Sequence, residues 1–105
     1  MPRPTKLEAA TVDAWLAKNT AWTREAGPSP QEGEALVRTF KFSDFSAALG
    51  FVVRVGLAAE KRDHHPDIRF GWGKARVLWT THDAGGITQL DLDLAGSTNN
   101  LAPGT

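Results

Sequence analysis

Residues 43–63 read SDFSAALGFVVRVGLAAEKRD and form the strongest helical pattern in the chain. Ser43 is placed to cap the first turn, Asp44 suits the positive end of the helix dipole, and no proline follows before Pro66. Apolar residues recur at helical spacing in two adjacent stripes: Phe45, Leu49, Val52, Gly56 and Ala59, and Ala48, Phe51, Val55 and Ala58. Together these stripes are wider than a surface helix needs. One side of the helix should cover a sheet, and the other side could contact a partner subunit.

The chain before this helix predicts one short helix and two strands. An amphipathic helix is expected over residues 11–19, with Thr11 as its cap. Two β segments follow, around 22–25 and at 35–42, separated by a Gly-, Pro- and Ser-rich connection at 27–33. The second segment alternates apolar and polar side chains with one exception, so one of its faces is expected to be buried.

The chain after the long helix predicts a hairpin and a final helix. A short strand at 68–72, a turn at 73–74 and a strand at 75–82 are rich in β-formers. An amphipathic segment at 87–97 follows, and glycine and asparagine residues are expected to end it. The tail, residues 101–105, is predicted to be loose.

The order of elements is therefore α-β-β-α-β-β-α, which is typical of helices packed on one face of a four-stranded antiparallel sheet. We predict an α+β fold of two layers. A chain of 105 residues is long enough for one core only, so residues 1–105 are predicted to form a single domain.

The composition excludes several classes of function. Twelve basic and twelve acidic residues leave no net charge, which argues against nucleic acid or an anionic membrane as the partner. The chain has no cysteine, which excludes disulfides, thiolate metal sites and cysteine nucleophiles. No apolar run has the length of a signal peptide or of the roughly 20 residues that span a membrane. A cytoplasmic location is the expectation.

The three histidines of the chain occur in two short stretches, EKRDHHPD at 60–67 and TTHD at 80–83. Glu60 and His64 are four residues apart, so a helix that continued to His64 would let this carboxylate orient the imidazole. The hairpin should bring His82 back toward the same end of the long helix. Three imidazoles would then line one cleft, and near neutral pH such a group can supply both a proton donor and an acceptor.

Two other interpretations of the histidines are open at this point. Three histidines can bind zinc, but adjacent histidines diverge at a helix end, and the usual helical spacings of zinc ligands are absent. Alternatively, His64 and His65 are a solvated helix end where cationic side chains favour the dipole, and His82 caps a strand.

The spacing of these residues resembles the pterin-4a-carbinolamine dehydratases, also called 4a-hydroxytetrahydrobiopterin dehydratases. The motif comprises Glu60, His64-His65-Pro66, an aromatic residue at Trp72, His82 and Asp91, and it matches the family without a gap from 59 to 95. A looser resemblance includes Ala21-Trp22 and residues 40–61. The family's fold agrees with the predicted order of elements.

The resemblance implies a function and roles for individual residues. Members of the family dehydrate a 4a-hydroxytetrahydropterin to the quinonoid dihydropterin, which regenerates the cofactor of aromatic amino-acid hydroxylases. His64 and His82 would be the general acid and base. His65, the third residue of the catalytic group, would hold the pterin. The other positions implied to line the substrate pocket are Asp63, Thr80, Thr81 and Asp83. Glu60 and Asp91 would orient and support the histidines.

The resemblance also implies what the protein works with. The pterin is the substrate, and no cofactor or metal is implied. Members of the family form homodimers or homotetramers, and some relatives bind a protein partner. A non-catalytic protein-binding or assembly module on the same fold is therefore the alternative to an enzyme.

Overall fold

The computed structural model describes residues 5–102. Its helices and strands are α1 (Ala9–Lys18), β1 (Thr23–Ala26), β2 (Glu34–Lys41), α2 (Phe45–Arg62), β3 (Asp67–Gly71), β4 (Lys74–Trp79) and α3 (Gln89–Leu101). The strands form one antiparallel sheet in the order β1-β2-β4-β3. The predicted α+β class and the order of its elements are confirmed. In the described part of the chain, no helix is long and apolar enough to cross a membrane.

The core lies between the three helices and one face of the sheet, called here the inner face. It contains Val12 from α1, Phe51 and Val55 from α2, and Leu92 and Leu94 from α3, all buried against apolar residues of β2 and β4. The opposite, outer face of the sheet carries only a small apolar cluster, Ala35, Val37 and Leu78. The long helix therefore covers the sheet as its apolar pattern predicts.

The N-terminal caps of α1 and α2 differ from the prediction. Asp44, not Ser43, caps α2, because its carboxylate accepts a hydrogen bond of 2.8 Å from the backbone N–H of Ala47. Helix α1 begins two residues before Thr11, after Glu8, and Thr11 lies inside it.

Helix α3 is longer than predicted, and the expectation that it stops near residue 97 was wrong. It continues through Thr98 and Asn99 to Leu101, which had been assigned to the loose tail. Thr98 Oγ1 donates to the carbonyl of Leu94 at 2.6 Å and accepts from Trp79 Nε1 at 3.0 Å. The contact with Trp79 of β4 offsets the low helix propensity of the segment. The rest of the predicted tail, 103–105, lies outside the described residues.

The same helix explains the arginine that interrupts the alternation of β2. Arg38 Nη1 and Trp22 Nε1 both donate to Asn99 Oδ1, at 2.7 and 2.8 Å. The guanidinium also lies 4.2 Å from the centre of the Phe40 ring, an arrangement that favours a cation. Burial lowers the pKa of Arg38, and these contacts satisfy the group at the edge of the core.

Candidate functional site

The end of α2, the start of β3 and the segment after β4 enclose a cavity of about 450 Å³, called here the histidine cavity. It is lined by Glu32, Asp63, His64, His65, Pro66, Asp67, Leu78, Thr80, Thr81, His82 and Asp83. The structure therefore brings all three histidines to one place. It also brings there the four residues predicted to line the substrate pocket.

The adjacent histidines diverge because α2 ends between Arg62 and His64. Asp63 adopts the left-handed conformation, with φ of 48°, and its N–H still bonds the last turn of the helix. Pro66 then favours an extended chain at His65. Each imidazole consequently meets a different carboxylate.

His64 is held by a buried carboxylate and an aromatic ring. Its Nε2 lies 2.6 Å from Asp91 Oδ1, and its ring stacks on Trp79 with a centroid distance of 5.9 Å and an angle of 10°. This histidine belongs to no helix, so the predicted Glu60–His64 pair does not form. Asp91 takes the place of Glu60 because the left-handed turn at Asp63 directs His64 toward α3.

Asp91 is fixed by the start of α3. With Thr88 it forms a capping box, in which the Thr88 N–H donates to Asp91 Oδ2 at 2.8 Å. The Thr81 hydroxyl donates to the same oxygen at 2.7 Å. Asp91 is fully buried, and its donors come from three segments of the chain. The predicted supporting residue thus lies where the segment after α2, the segment after β4 and the start of α3 meet.

This network determines which nitrogen of His64 has no carboxylate partner. An ionised carboxylate can only accept hydrogen bonds, so Nε2 of His64 must carry a proton toward Asp91. Nδ1 is then the nitrogen that can take up or release a proton. A carboxylate in this position also stabilises the positive charge that the ring gains on protonation.

His65 is paired with the carboxylate that was predicted for its neighbour. Its Nε2 lies 2.7 Å from Glu60 Oε1, and both side chains are mostly exposed. Glu60 therefore orients His65 rather than His64.

Strand β4 ends at Trp79, and His82 begins a short 3₁₀ turn, His82–Ala84. The prediction that the strand reaches His82 was wrong, since Thr80 and Thr81 leave the sheet. The Thr80 hydroxyl donates to the carbonyls of Glu32 and Glu34, at 3.1 and 2.8 Å. Among residues 5–102, no side chain is hydrogen-bonded to the ring of His82 or to the carboxylate of Asp83. His82, like His65, is exposed.

Glu32 is a residue of the cavity that the sequence did not reveal. It ends a 3₁₀ turn, Pro30–Glu32, and the Ser29 hydroxyl donates to its Oε2 at 2.8 Å. The next residue, Gly33, has φ of 63°, and a Cβ there would overlap the carbonyl oxygen of Gly85. The backbones of the two loops that contain Gly33 and Gly85 are therefore in direct contact beside the cavity. No local motif marks Glu32, because a long-range contact places it.

Two further observations concern the aromatic residue of the motif and the alternative of a metal site. Trp72, part of the resemblance, is 71% exposed in the β3–β4 turn and does not line the histidine cavity. Across residues 5–102, no three histidine or carboxylate side chains are grouped so as to hold a metal ion.

Comparison with known proteins identifies the family. The model of the family described as pterin 4 alpha carbinolamine dehydratase matches residues 5–101. Two relatives are provisionally named as pterin-4-alpha-carbinolamine dehydratases. One, from Rhodopseudomonas palustris, is 53% identical over 77 residues, covering 72% of this chain and 76% of its own. The other, from Aromatoleum aromaticum, is 42% identical over 103 residues, covering 98% and 85%.

Solved structures agree with the sequence comparisons. A transcriptional coactivator/pterin dehydratase from Brucella melitensis superposes with a TM-score of 0.82 at 35% identity, covering 93% of this chain and 99% of its own. A pterin dehydratase-like RuBisCO assembly factor of the alpha-carboxysome shares the fold, with a TM-score of 0.64 at 17% identity, over 81% of this chain and 93% of its own.

The fold and the matches together define a dehydratase. The chain belongs to the pterin 4 alpha carbinolamine dehydratase family. The predicted family and the predicted class of enzyme, a hydro-lyase, are confirmed.

Proposed function

We propose that the protein dehydrates 4a-hydroxytetrahydropterin to quinonoid dihydropterin by histidine acid–base catalysis. The observation that supports this most strongly is the meeting of three imidazoles in one cavity, one of them held by a buried carboxylate. In the cell, the reaction would regenerate the pterin cofactor of aromatic amino-acid hydroxylases.

The proposed reaction needs one proton to arrive and one to leave. The C4a–O bond breaks as an acid protonates the 4a-hydroxyl, which departs as water. A base takes the proton from N5, and the N5–H electron pair forms the C4a=N5 double bond. Acid–base steps alone balance this reaction, so the proposal includes no cofactor or metal.

The surroundings of the histidines suggest how the roles divide. His64 suits the base, because Asp91 stabilises the imidazolium that forms when Nδ1 takes the proton. His82 then suits the acid. His65, oriented by Glu60, would hold the pterin between them, with Asp63, Thr80, Thr81 and Asp83 lining the rest of the pocket.

Alanine substitutions test the acid and the base. His64→Ala and His82→Ala should each lower the rate of dehydration of freshly generated 4a-hydroxytetrahydropterin by about 10²- to 10⁴-fold. Lys18→Ala, on exposed α1, is the control and should retain the wild-type rate. Wild-type rates in both histidine variants would exclude them from catalysis. A wild-type rate no higher than that of the uncatalysed reaction would make the protein-binding module the better interpretation.

We also propose that the protein is a homo-oligomer assembled on α2. Phe45, Leu49, Val53 and Leu57 recur every four residues along the outside of this helix and are 41–64% exposed. Phe70 adds a ring 5.5 Å from that of Phe45. An apolar stripe of this length on one helix suits a self-complementary interface, which a second copy of the chain can cover.

Light scattering after gel filtration tests the oligomer. The wild-type chain should show a multiple of 11.4 kDa, and Leu57→Glu should shift the mass toward that of one chain, because it places a charge in the interface. Lys18→Glu, exposed on α1 rather than on α2, should keep the wild-type mass. A wild-type mass of one chain at micromolar concentration would rule the assembly out.

A further inference from the structure

The histidine cavity continues as a groove across the outer face of the sheet. A depression of about 470 Å³ adjoins it and shares Asp67 and Leu78 with it. A second depression of about 480 Å³ adjoins the first and shares Arg69 and Arg76. The cavity therefore opens along the strands. A ligand whose ring system is bound in the cavity has room to extend a side chain along this groove.

The charge of the lining changes sign along this path. The carboxylates of Glu32, Asp63, Asp67 and Asp83 line the histidine cavity. The far part, called here the basic groove, is lined by Arg69, Arg76, Lys41 and Lys74. The formal net charge of the whole chain is zero, so this separation is a local property of the sheet face.

The cations of the basic groove stand opposite one another. In the register of the sheet Arg69 pairs with Arg76, and Lys41 pairs with Lys74. Like charges directly opposite each other destabilise a sheet. Arg76 is compensated by Glu25 at 2.7 Å, but no carboxylate of residues 5–102 lies within 4.0 Å of the charged nitrogens of the other three. An anion bound between these side chains would relieve the repulsion.

The spacing along β3 fits a substituted pterin. Asp67 is at the rim of the histidine cavity, and Arg69 is two residues further on the same face, about 7 Å away at the rise of a β-strand. A pterin seated among the histidines, with a side chain of a few atoms, would place a terminal anion beside Arg69. The planar fork of a guanidinium binds phosphate or carboxylate through two hydrogen bonds.

We infer that the site takes reduced pterins whose side chain ends in an anion, and that Arg69 in the basic groove recognises this anion. The inference rests on the proposed function, because it takes the pterin head group to bind in the histidine cavity. A phosphate ester and a carboxylate tail share the required chemistry.

Calorimetric binding of stable dihydropterins tests the inference without turnover. 7,8-Dihydroneopterin and its 3′-phosphate differ only in the terminal anion, and dihydrofolate supplies a carboxylate tail. At low salt we expect the phosphate to bind about tenfold more tightly than the neutral compound, since one Arg–phosphate pair is worth about a factor of ten. Whichever of dihydroneopterin 3′-phosphate and dihydrofolate binds more tightly shows whether the preferred anion is a phosphate or a carboxylate.

Variants assign the effect to the basic groove. Arg69→Gln should reduce the advantage of the phosphate to less than about threefold, whereas Arg69→Lys should retain part of it. Lys18→Gln removes the same charge from exposed α1 and should leave the tenfold ratio intact. Because the readout is a ratio within one variant, a small change in folding does not affect it.

Each outcome decides a separate point. Equal affinity of the wild-type protein for the neutral compound and both anionic compounds, or an undiminished ratio in Arg69→Gln, overturns the inference even if dehydration is observed. A ratio that depends on Arg69 supports it even if no dehydration is observed, in which case the proposed function fails alone. Absence of binding by every dihydropterin overturns both.

Discussion

His64 and His65 are neighbours in the chain, and each lies within hydrogen-bond distance of one carboxylate, yet their environments are opposite. The side chains of His64 and Asp91 are 13% and 0% exposed, whereas those of His65 and Glu60 are 56% and 76% exposed. The distances, 2.6 and 2.7 Å, are almost equal. Distance alone therefore does not separate the two pairs.

Burial gives the two pairs different strengths. An exposed ion pair is screened by water and typically contributes between about 0 and 1 kcal/mol. A buried carboxylate that loses its partners leaves polar groups without hydrogen bonds, at about 1–3 kcal/mol for each group. The pair of Asp91 should thus fix one imidazole firmly, while the pair of Glu60 leaves the other adjustable.

Of the changes to the two carboxylates, Asp91→Asn should have the larger effect. The amide has the same shape but can accept on only one of its two sides. Either the Thr88 N–H and the Thr81 hydroxyl lose their acceptor, or the imidazole must change tautomer so that Nε2 accepts from the amide NH2. We expect the free energy of unfolding, measured with urea, to fall by about 2–4 kcal/mol. We expect the dehydration rate to fall by about 10²-fold, because His64 loses the charge that stabilises its protonated form.

Asp93→Asn is the matched control for this variant. Asp93 is exposed on the same helix, and within residues 5–102 its carboxylate accepts a side-chain hydrogen bond only from Gln89 Nε2, at 3.0 Å. Its substitution should change the free energy of unfolding by less than about 0.5 kcal/mol. If Asp91→Asn were equally mild, Asp91 would not be the group that fixes His64.

Glu60→Gln, at the exposed pair, should have a much smaller effect than Asp91→Asn. The free energy of unfolding should fall by less than about 1 kcal/mol and the dehydration rate by less than about tenfold, because water screens this pair. The difference from wild type should shrink between about 0.02 and about 0.5 M NaCl. A loss as large as that of Asp91→Asn would show that the exposed pair is as important as the buried one.

The fold could be predicted because its main signals are local. The stripes of residues 43–63 and the β-rich segments on both sides give the order of the elements, and the structure has the same order. The length of α3 could not be predicted in this way. Contacts with Trp79, Trp22 and Arg38 stabilise its last turns, and these residues are remote in the sequence.

The sequence predicted those parts of the candidate site that lie within the histidine motif. The histidines and the residues beside them line one cavity, but the carboxylate partner of His64 was misassigned, because the spacing from Glu60 has meaning only while the helix continues. The left-handed turn at Asp63 ends the helix. One signal was available for Asp91: Thr88 and Asp91 have the spacing of a capping box, which locates the start of α3. Glu32 had no such signal.

The contact between Gly33 and Gly85 has a consequence for redesign of the protein. The loop at 27–33 supplies Glu32 to the cavity and is a natural place to alter the choice of ligand. Any side chain at Gly33 would collide with the opposite loop and also requires an unfavourable positive φ. A Cβ at Gly27 would lie 2.9 Å from the carbonyl oxygen of Gly33, so the start of the loop is constrained as well. Loops grafted here can therefore vary in length and composition between these two positions, but they must keep a glycine at each end.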